Sequence, residues 1–508
     1  MPHPPVKKRF LLSLAKREYR YTHDLPSKPD AALGTVLVTG ASGYIGGRLV
    51  PELLSRGYKV RIMVRGGSPE YREMWPSVEV VVADALNLDD LRAALRGVDT
   101  AYYLIHSLLL GRKEFEAVDI QAAINFQRAA QENELKRIIY LGGLGDTRTK
   151  LSSHLRDRMR VAEELRQGKI PVTILRAAII IGSGSASYEI IKHLVKRLPV
   201  VPIPKWALSR CQPIAVRDVI KYLVGVLETP ETAGRSFDIG GSDVLTYADM
   251  MRILAEALFL KRLFIRLPIS NIGFYSYYAS MLTPIPAAIT RSLMEGLKNE
   301  VVCQDDSIKR HLPFETLHYR EAIIGALTRE EQDNVRTSWF DAYPPAHELA
   351  IKLHELEGTP QYTAHHSILS RKDSWRLFAS ICTIGGKEGW FTHNWMWRLR
   401  GWMDRVLLGV GASRGRRSQT TLKTGDVIDF WRIEDLKPDI RLLLRAEMKL
   451  PGKAWLEFDI KKEGDRNRLS IIAHYYTESL VGKLYWYVFV PFHHVIFSDL
   501  IKQIERRA

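Results

Sequence analysis

Residues 36–46 read Val-Leu-Val-Thr-Gly-Ala-Ser-Gly-Tyr-Ile-Gly, and they decide the fold of the first half of the chain. The β-branched run Thr35–Thr39 predicts a buried parallel strand. Gly40, Gly43 and Gly46 follow at three-residue spacing, and the apolar pattern after them predicts a helix. A strand that leads through glycines into a helix N-terminus offers free backbone N–H groups to a pyrophosphate. The stretch therefore predicts a nucleotide-binding site, with a purely structural turn as the alternative.

The rest of the first half alternates between short apolar strands and amphipathic helices. This alternation is typical of a parallel sheet with helices on both faces, and it predicts the α/β class with a doubly wound Rossmann sheet. We predict strands at Thr35–Thr39, Lys59–Val64, Val78–Val82, Thr100–Leu104, Arg137–Leu141, Val172–Leu175 and Ser236–Ile239. We predict helices at Leu88–Leu95, Phe115–Ala130, Leu155–Leu165, Tyr188–Leu198, Val216–Leu227 and Tyr247–Leu258.

The second half has an antiparallel pattern, which begins after proline- and glycine-containing breaks near residues 343–345 and 358–360. It predicts an α+β domain with strands at Asp426–Trp431, Arg441–Lys449, Ala454–Lys461 and Arg468–Tyr476, closed by an aromatic-rich helix at Lys483–Glu505. The expected organisation is a basic tail at 1–32, a nucleotide-binding domain at 33–340 with a small substrate subdomain from about 183, a linker at 341–362 and a C-terminal domain at 363–508.

The chain has 508 residues and a formal charge of +16, which favours anionic ligands or an anionic membrane surface. Its basic residues are dispersed without interleaved aromatic motifs, so we expect no nucleic-acid partner. Three cysteines without a close pair indicate a reducing, cytoplasmic location. The basic tail and the uncharged stretch 267–290 keep peripheral membrane contact as an alternative. The expected partner is a small molecule, and the oligomeric state stays open.

From about Thr35 to Leu258 the chain resembles the short-chain dehydrogenase/reductase superfamily, in its atypical, epimerase-like members and the nucleotide-binding accessory subunit of respiratory complex I. The motifs that carry this resemblance are Thr39 to Gly46, Ala83-Asp84, Asn125, Leu175-Arg176, Val216 and Asp218. The C-terminal half resembles a bacterial domain of unknown function and the helix-grip fold of START and polyketide-cyclase proteins. Its motifs are 429–432, 451–458 and Tyr485-Trp486-Tyr487.

The superfamily resemblance implies a dinucleotide cofactor and assigns its contacts residue by residue. It implies that Gly40, Gly43 and Gly46 hold the pyrophosphate, that Ser42, Tyr44 and Ile45 line the turn, that Asp84 with Ala85 lies by the adenine, and that His106 lies near the nicotinamide ribose. The choice of cofactor follows from Arg65, which ends the second predicted strand where an acid would bind the NAD ribose. A guanidinium suits a 2′-phosphate, so we expect NADP, with NAD as the alternative.

The expected catalytic residues depart from the superfamily pattern. Active members use a Ser after the fifth strand and a Tyr-x-x-x-Lys pair, whereas this chain has Leu-Gly-Gly-Leu at 141–144 and His154 and Arg158 four residues apart. A pair at this spacing shares one helical face, and an imidazole beside a cation is able to exchange protons. The predicted function is therefore an oxidoreductase, isomerase or epimerase that uses His154 and Arg158 on a hydrophobic or anionic carbonyl or hydroxyl compound. The alternative is a non-catalytic NAD(P) sensor or scaffold.

Two further patterns leave their alternatives open. The aromatic residues of the C-terminal half suit either an apolar ligand cavity or an aromatic core. The basic, glycine-rich stretch 409–417 suits either an anion-binding nest or a solvated loop. The paired histidines at 365–366 and 493–494 do not have metal-ligand spacing, and we expect no metal site.

Overall fold

The fold is described from a computed structural model of the chain. The described residues are 21–30, 32–65, 70–106, 112–145, 152–268, 271–331, 337–339, 353, 356, 360–386, 388–407, 409–411, 414, 416 and 422–508. Most of the predicted tail and of the predicted linker at 341–362 lies outside these residues. Contacts divide the chain into two compact units. The first comprises Met1–Ala279 and Ala288–Pro345, and the second comprises Ser280–Ala287 and Ala346–Ala508.

The first unit contains a seven-stranded sheet whose pairings are all parallel. Its strands, in chain order, are β1 Thr35–Thr39, β2 Val60–Val64, β3 Glu79–Val82, β4 Val98–Tyr103, β5 Arg137–Gly143, β6 Val172–Ala177 and β11 Ser236–Ile239. The spatial order is β11-β6-β5-β4-β1-β2-β3. The chain runs outward from β1 to β3 and then returns to β4 on the other side of β1, so the sheet is doubly wound as predicted.

Most helices of this unit bury their apolar faces in clusters that include residues of the sheet, whereas the helices at 186–197 and 247–257 belong to a separate apolar cluster. The helices are α1 Gly46–Ser55, α2 Glu70–Met74, α3 Leu88–Leu95, α4 Arg112–Glu132, α5 Ser153–Arg166, α6 Ala186–Arg197, α7 Val216–Leu227 and α8 Tyr247–Ala257. Helix α3 begins with Asn87, whose side chain accepts from two first-turn amides, and α8 begins with a capping box of Thr246 and Asp249. The predicted helices from 88 onward are confirmed within three residues at each end.

Short elements complete the first unit, except that residues 280–282 and residue 287, in two of the helices, belong to the second unit. The short elements are β7 Ile180–Ile181, β8 Val200–Pro204, β9 Arg210–Cys211, β10 Ile214–Ala215, β12 Leu245–Thr246, β13 Leu263–Leu267 and the helices α9 Ile272–Leu282, α10 Ala287–Gly296, α11 Ile308–His311 and α12 Tyr319–Glu331. The uncharged stretch 267–290 thus contains a helix, α9, and the start of a second, α10, with Pro284 and Pro286 between them.

The second unit is a six-stranded antiparallel sheet with a long C-terminal helix, and this confirms the predicted α+β class. Its elements are β14 Tyr362–Ser370, α13 Ser374–Ile381, α14 Asn394–Val406, β15 Val427–Ile428, β16 Trp431–Lys437, β17 Arg441–Ala446, β18 Lys453–Glu463, β19 Arg466–Tyr476 and α15 Leu480–Arg507. The strand order is β14-β19-β18-β17-β16-β15. Helix α15 is the one described helix long and apolar enough to cross a membrane, and its buried face packs against β14 and β19. A helix-grip assignment stays a prediction.

In the second unit the structure corrects one strand prediction and adds one strand. Residues Asp426–Trp431 do not form one strand, because a two-residue turn at Asp429 and Phe430 separates β15 from β16. Asp429 has φ of 55°, a left-handed conformation that aspartate tolerates better than most residues. Strand β14 was not predicted, since it lies at the sheet edge and mixes polar with small residues.

Candidate functional site

The glycine turn lies between β1 and α1, where the order of strands reverses. Gly40 has φ of 61°, and a Cβ there would lie 2.7 Å from the Leu104 carbonyl oxygen of the neighbouring strand end. A Cβ at Gly46 would meet the Gly40 carbonyl and the Ala41 Cα. The Gly43 N–H donates to the Gly40 carbonyl at 2.9 Å and closes the turn. The amides of Gly47, Arg48 and Leu49 donate to the carbonyls of the turn. The amides of residues 44–46 have no hydrogen bond in the described part of the chain, so these N–H groups are donors for an anion.

A buried arginine, Arg48, hydrogen-bonds to the backbone of this turn. Arg48 is 2% exposed, and it donates to the carbonyl of Tyr44 at 3.1 Å and to that of Ser183 at 2.8 Å. Its guanidinium lies 4.1 Å from the centroid of the Tyr44 ring. Thr337 donates to the same Tyr44 carbonyl at 2.8 Å. The backbone of the turn is therefore held in part by Ser183 and Thr337, which lie far away in sequence.

A cleft of about 410 Å³ extends from the glycine turn along the carboxyl ends of the central strands, within the first unit. One side comprises the glycine turn with Tyr44 and Ile45, His106 after β4, and Arg158 on α5. The apolar side comprises Leu104, Leu141, Leu144, Leu293, Leu297 and Val301. The cleft brings the backbone of the glycine turn, His106, Arg158 and a hydrocarbon wall to one place, at the position where doubly wound sheets bind ligands.

Arg158 combines a fixed position with an unused donor. Its Nη2 donates to the Leu141 carbonyl at the end of β5, and its guanidinium carbon lies 4.9 Å from the Tyr140 ring centroid. The Tyr140 hydroxyl in turn donates to the backbone carbonyl of Arg158 at 3.1 Å. Nη1 is buried and has no hydrogen-bond partner in the described part of the chain. A buried guanidinium nitrogen without an acceptor is costly, so this donor is suited to a ligand oxygen.

His106 pairs with an acid that the sequence analysis did not single out. Its Nδ1 lies 3.2 Å from Oδ2 of Asp119, which is 3% exposed on α4. Burial lowers the pKa of His106, and the positive charge of Arg158 lowers it further, against the effect of Asp119. The imidazole is therefore neutral near pH 7. The signal for Asp119 is periodicity, because it shares the buried face of α4 with Ala122 and Phe126.

The remaining predicted cofactor residues lie at the same edge of the sheet but outside the cleft lining. Ser42 lies within the turn, and Arg65 is exposed just after β2. Asp84 follows β3 and accepts from the Leu86 amide at 3.0 Å, so its carboxylate organises its own turn. Ala85 is buried, and its carbonyl accepts from the Asn125 side chain at 3.3 Å.

The predicted catalytic pair is described only in part. His154 belongs to the first turn of α5, and its side chain lies outside the described residues, whereas Arg158 lines the cleft. At the end of β5, a Cβ on Gly143 would lie 3.0 Å from Leu155 Cδ2. A larger side chain there would push against the helix that carries Arg158, and this gives a structural reason for glycine at the strand end.

Thr39 is a further site residue that the sequence analysis did not identify. Its hydroxyl donates to the Tyr102 carbonyl at 2.9 Å and accepts from the Leu104 amide at 2.9 Å. It thereby joins β1 to β4 at the point where the strand order reverses. A threonine at the end of an apolar strand has no distinctive pattern, so no sequence signal was available for this role.

Comparison with known proteins gives a match in each half. The family described as NAD(P)H-binding matches residues 40–199, and the family described as "Protein of unknown function (DUF2867)" matches residues 358–500. A nucleoside-diphosphate-sugar epimerase from Staphylococcus aureus, of known structure, is 17% identical with a TM-score of 0.47, over 58% of this chain and all of that one.

Curated relatives match the first half. Ceramide reductase from Caulobacter vibrioides is 30% identical over 246 residues, which cover 47% of this chain and 74% of the relative. The mitochondrial NADH dehydrogenase 1 alpha subcomplex subunit 9 from Arabidopsis thaliana is 25% identical over 239 residues, 46% of this chain and 60% of the relative. A 3-beta-hydroxysteroid dehydrogenase from Mycolicibacterium neoaurum is 35% identical over 117 residues, 21% of this chain. The chain spans only 60% and 31% of the last two relatives' lengths.

The fold and the glycine turn define a dinucleotide-binding α/β protein. The first half of the chain belongs to the NAD(P)-binding short-chain dehydrogenase/reductase superfamily, and a separate C-terminal domain belongs to the unknown-function family. The residues of the turn fit the cofactor, since a Cβ at Gly40 or Gly46 would meet neighbouring backbone and open this tight turn, and the amides of residues 44–46 have no described partner.

Proposed function

We propose that the protein is an NADPH-dependent reductase that acts on a carbonyl group of an apolar, lipid-class substrate. The single observation that carries this proposal is the Arg158 Nη1 donor, buried beside the cleft that begins at the glycine turn. The leucine-rich wall supports an apolar substrate. The names of two relatives, a ceramide reductase and a hydroxysteroid dehydrogenase, support the same class.

A nicotinamide cofactor, when bound, would supply the hydride that reduces the carbonyl carbon. Arg158 donates to the substrate oxygen and stabilises the negative charge that forms on it, which is the role of an oxyanion hole. Nη2 remains on the Leu141 carbonyl, so the guanidinium is already oriented. His154, one helical turn before Arg158, is the proposed proton donor to that oxygen. Neutral His106, held by Asp119, binds and orients the ribose.

The test is NADPH oxidation with long-chain aldehydes and 3-ketosteroids. We expect Arg158→Met to lower kcat/KM by about 100-fold, because removal of one oxyanion donor typically costs this much. The Kd for NADPH should stay within about twofold. Arg158→Lys is the matched control. Lysine keeps the positive charge but lacks the planar guanidinium with its several N–H donors, so this variant should recover part of kcat. Unchanged turnover in Arg158→Met would contradict the assignment of Arg158, and unchanged turnover in His154→Ala would contradict that of His154.

A second candidate function is a non-catalytic NAD(P)-binding sensor or assembly subunit. It is favoured by the Leu-Gly-Gly-Leu sequence at the end of β5, where active superfamily members have serine. A relative named as a respiratory NADH dehydrogenase subunit supports it as well. Micromolar binding of NADPH without turnover of any compound in the panel would favour this function over the reductase. Failure to bind either nucleotide would contradict both.

A further inference from the structure

We infer that the second unit contains a binding site for a long-chain acidic amphiphile, independent of the nucleotide cleft. The site is a pocket of about 380 Å³ between α14, α15 and the antiparallel sheet. This volume lies within the range of small-molecule sites in proteins, roughly 300–1,000 Å³. The inference goes beyond the proposed function, because all lining residues belong to the second unit.

The interior of the pocket is suited to hydrocarbon. Its floor is formed by the sheet residues Trp431, Trp455, Ala473 and Tyr475, and Trp397 and Trp486 contribute from the two helices. Tyr475 and Trp486 stack with their ring centroids 5.5 Å apart, and Trp455 is fixed by donation from Nε1 to Glu434 at 2.9 Å. These contacts hold Trp455, Tyr475 and Trp486 in place, and the three rings form a mainly apolar surface.

The rim of the pocket is apolar and faces solvent, which is unusual for a soluble protein. On α14, Trp395 is 61% exposed and Leu399 is 49% exposed, and both line the pocket. On α15, Val488 is 52% exposed and Phe492 is 47% exposed, and both line it as well. These exposed apolar side chains lie on both sides of the pocket. A bound hydrocarbon chain would cover them, and removal of their surface from water would favour binding.

The polar end of the ligand follows from the lining cation. Arg400 lines the pocket while it remains partly exposed, and it donates to the Lys449 carbonyl at 3.0 Å. No ion pair of Arg400 is present in the described part of the chain. A guanidinium at the opening pairs with a carboxylate or phosphate head through charge-assisted hydrogen bonds. The ligand class is therefore a single-chain amphiphile with an anionic head.

The experiment uses the full chain and cis-parinaric acid, a fatty acid whose fluorescence is excited by energy transfer from nearby tryptophans. Val488→Glu places a carboxylate at the rim, and Leu484→Glu is the matched control. Leu484 is 66% exposed one turn earlier on α15 and does not line the pocket. We expect saturable binding to the unaltered chain, a Kd raised about tenfold or more by Val488→Glu, and a change below about twofold for Leu484→Glu. Equal melting temperatures of the variants exclude misfolding.

Displacement of parinaric acid tests the head group. Palmitate and hexadecyl phosphate should displace it from the unaltered chain, and Arg400→Gln should weaken both by about fivefold or more while leaving hexadecanol unchanged. Equal weakening of the alcohol would overturn the role of Arg400. Equal effects of the two glutamate variants, or absence of saturable binding, would overturn the pocket itself. If both variants instead reduce flotation with anionic vesicles equally and no amphiphile binds, the surface is a membrane-docking face and the ligand site is refuted.

Discussion

The cleft of the first unit and the apolar pocket of the second unit differ in the groups that they offer to a ligand. The cleft is built on backbone amides, and it needs glycine at Gly40 and Gly46, where a Cβ would meet neighbouring backbone. The pocket is built on large side chains from two helices and several strands. A backbone site therefore leaves a short motif in the sequence. A side-chain site leaves only composition, because many apolar residues fill a wall equally well.

The two units also differ in how they hold buried charge. In the first unit, one Arg158 donor beside the cleft is without a described partner. In the second unit, Glu447 is 1% exposed at its side chain and lies 2.7 Å from Arg414, with Arg432 and Arg445 also beside it. The first arrangement leaves a donor for a ligand, whereas in the second the three guanidinium groups share one carboxylate partner within the unit.

The largest expected effect concerns the second unit alone. Removal of the Glu447 charge leaves three guanidinium groups facing one another, so Glu447→Gln should lower the free energy of unfolding of this unit by about 3–5 kcal/mol. Urea unfolding followed by tryptophan fluorescence reports mainly on this unit, because eight of the eleven tryptophans belong to it. NADPH binding by the first unit should persist in the same sample. Loss of NADPH binding together with unfolding of the second unit would contradict the independence of the two units.

The same carboxylate predicts a pH dependence. Burial raises the pKa of Glu447, but the facing guanidinium groups outweigh it and lower the pKa to about 2. A folded-state pKa below the unfolded value means that the stabilisation is complete above about pH 4.5 and is lost as the pH falls toward 2. The unaltered chain should therefore lose stability more steeply than Glu447→Gln between pH 5 and 3. Parallel slopes for the two proteins would show that another group dominates.

An effect of intermediate size is expected in the first unit. Gly46→Ala places a Cβ against the Gly40 carbonyl, and the turn must open to accommodate it. An overpacked site typically costs about 2 kcal/mol, so the Kd for NADPH should rise about 30-fold. Gly325→Ala is the control, since a Cβ there has open space. Binding of parinaric acid by the second unit should not change in either variant. Tight NADPH binding by Gly46→Ala would contradict the assignment of the turn.

The parts of the molecule that the sequence predicted share a physical basis. Strand β1, helix α3 and helix α7 were predicted with their bounds because periodicity and caps are local signals. The pairing of His106 with Asp119 and the hydrogen bond from Arg48 to the Ser183 carbonyl depend on tertiary contacts, so the local sequence pattern did not reveal them. Stretch 409–417 shows the same limit. Of its described arginines, Arg414 bonds to Glu447, and Arg416 bonds to the Cys382 carbonyl.

The smallest expected effect separates the two cofactors. Arg65 is exposed after β2, and we expect its guanidinium to pair with the 2′-phosphate of NADPH. An exposed ion pair contributes about 1 kcal/mol at most, so Arg65→Asp should weaken NADPH about fivefold relative to NADH. Lys59→Asp makes the same charge change at the opposite end of β2, on an exposed residue, and should leave the ratio unchanged. Fluorescence titration of both nucleotides gives the ratio directly. An equal shift in the two variants would mean that net charge, rather than contact with the phosphate, sets the preference.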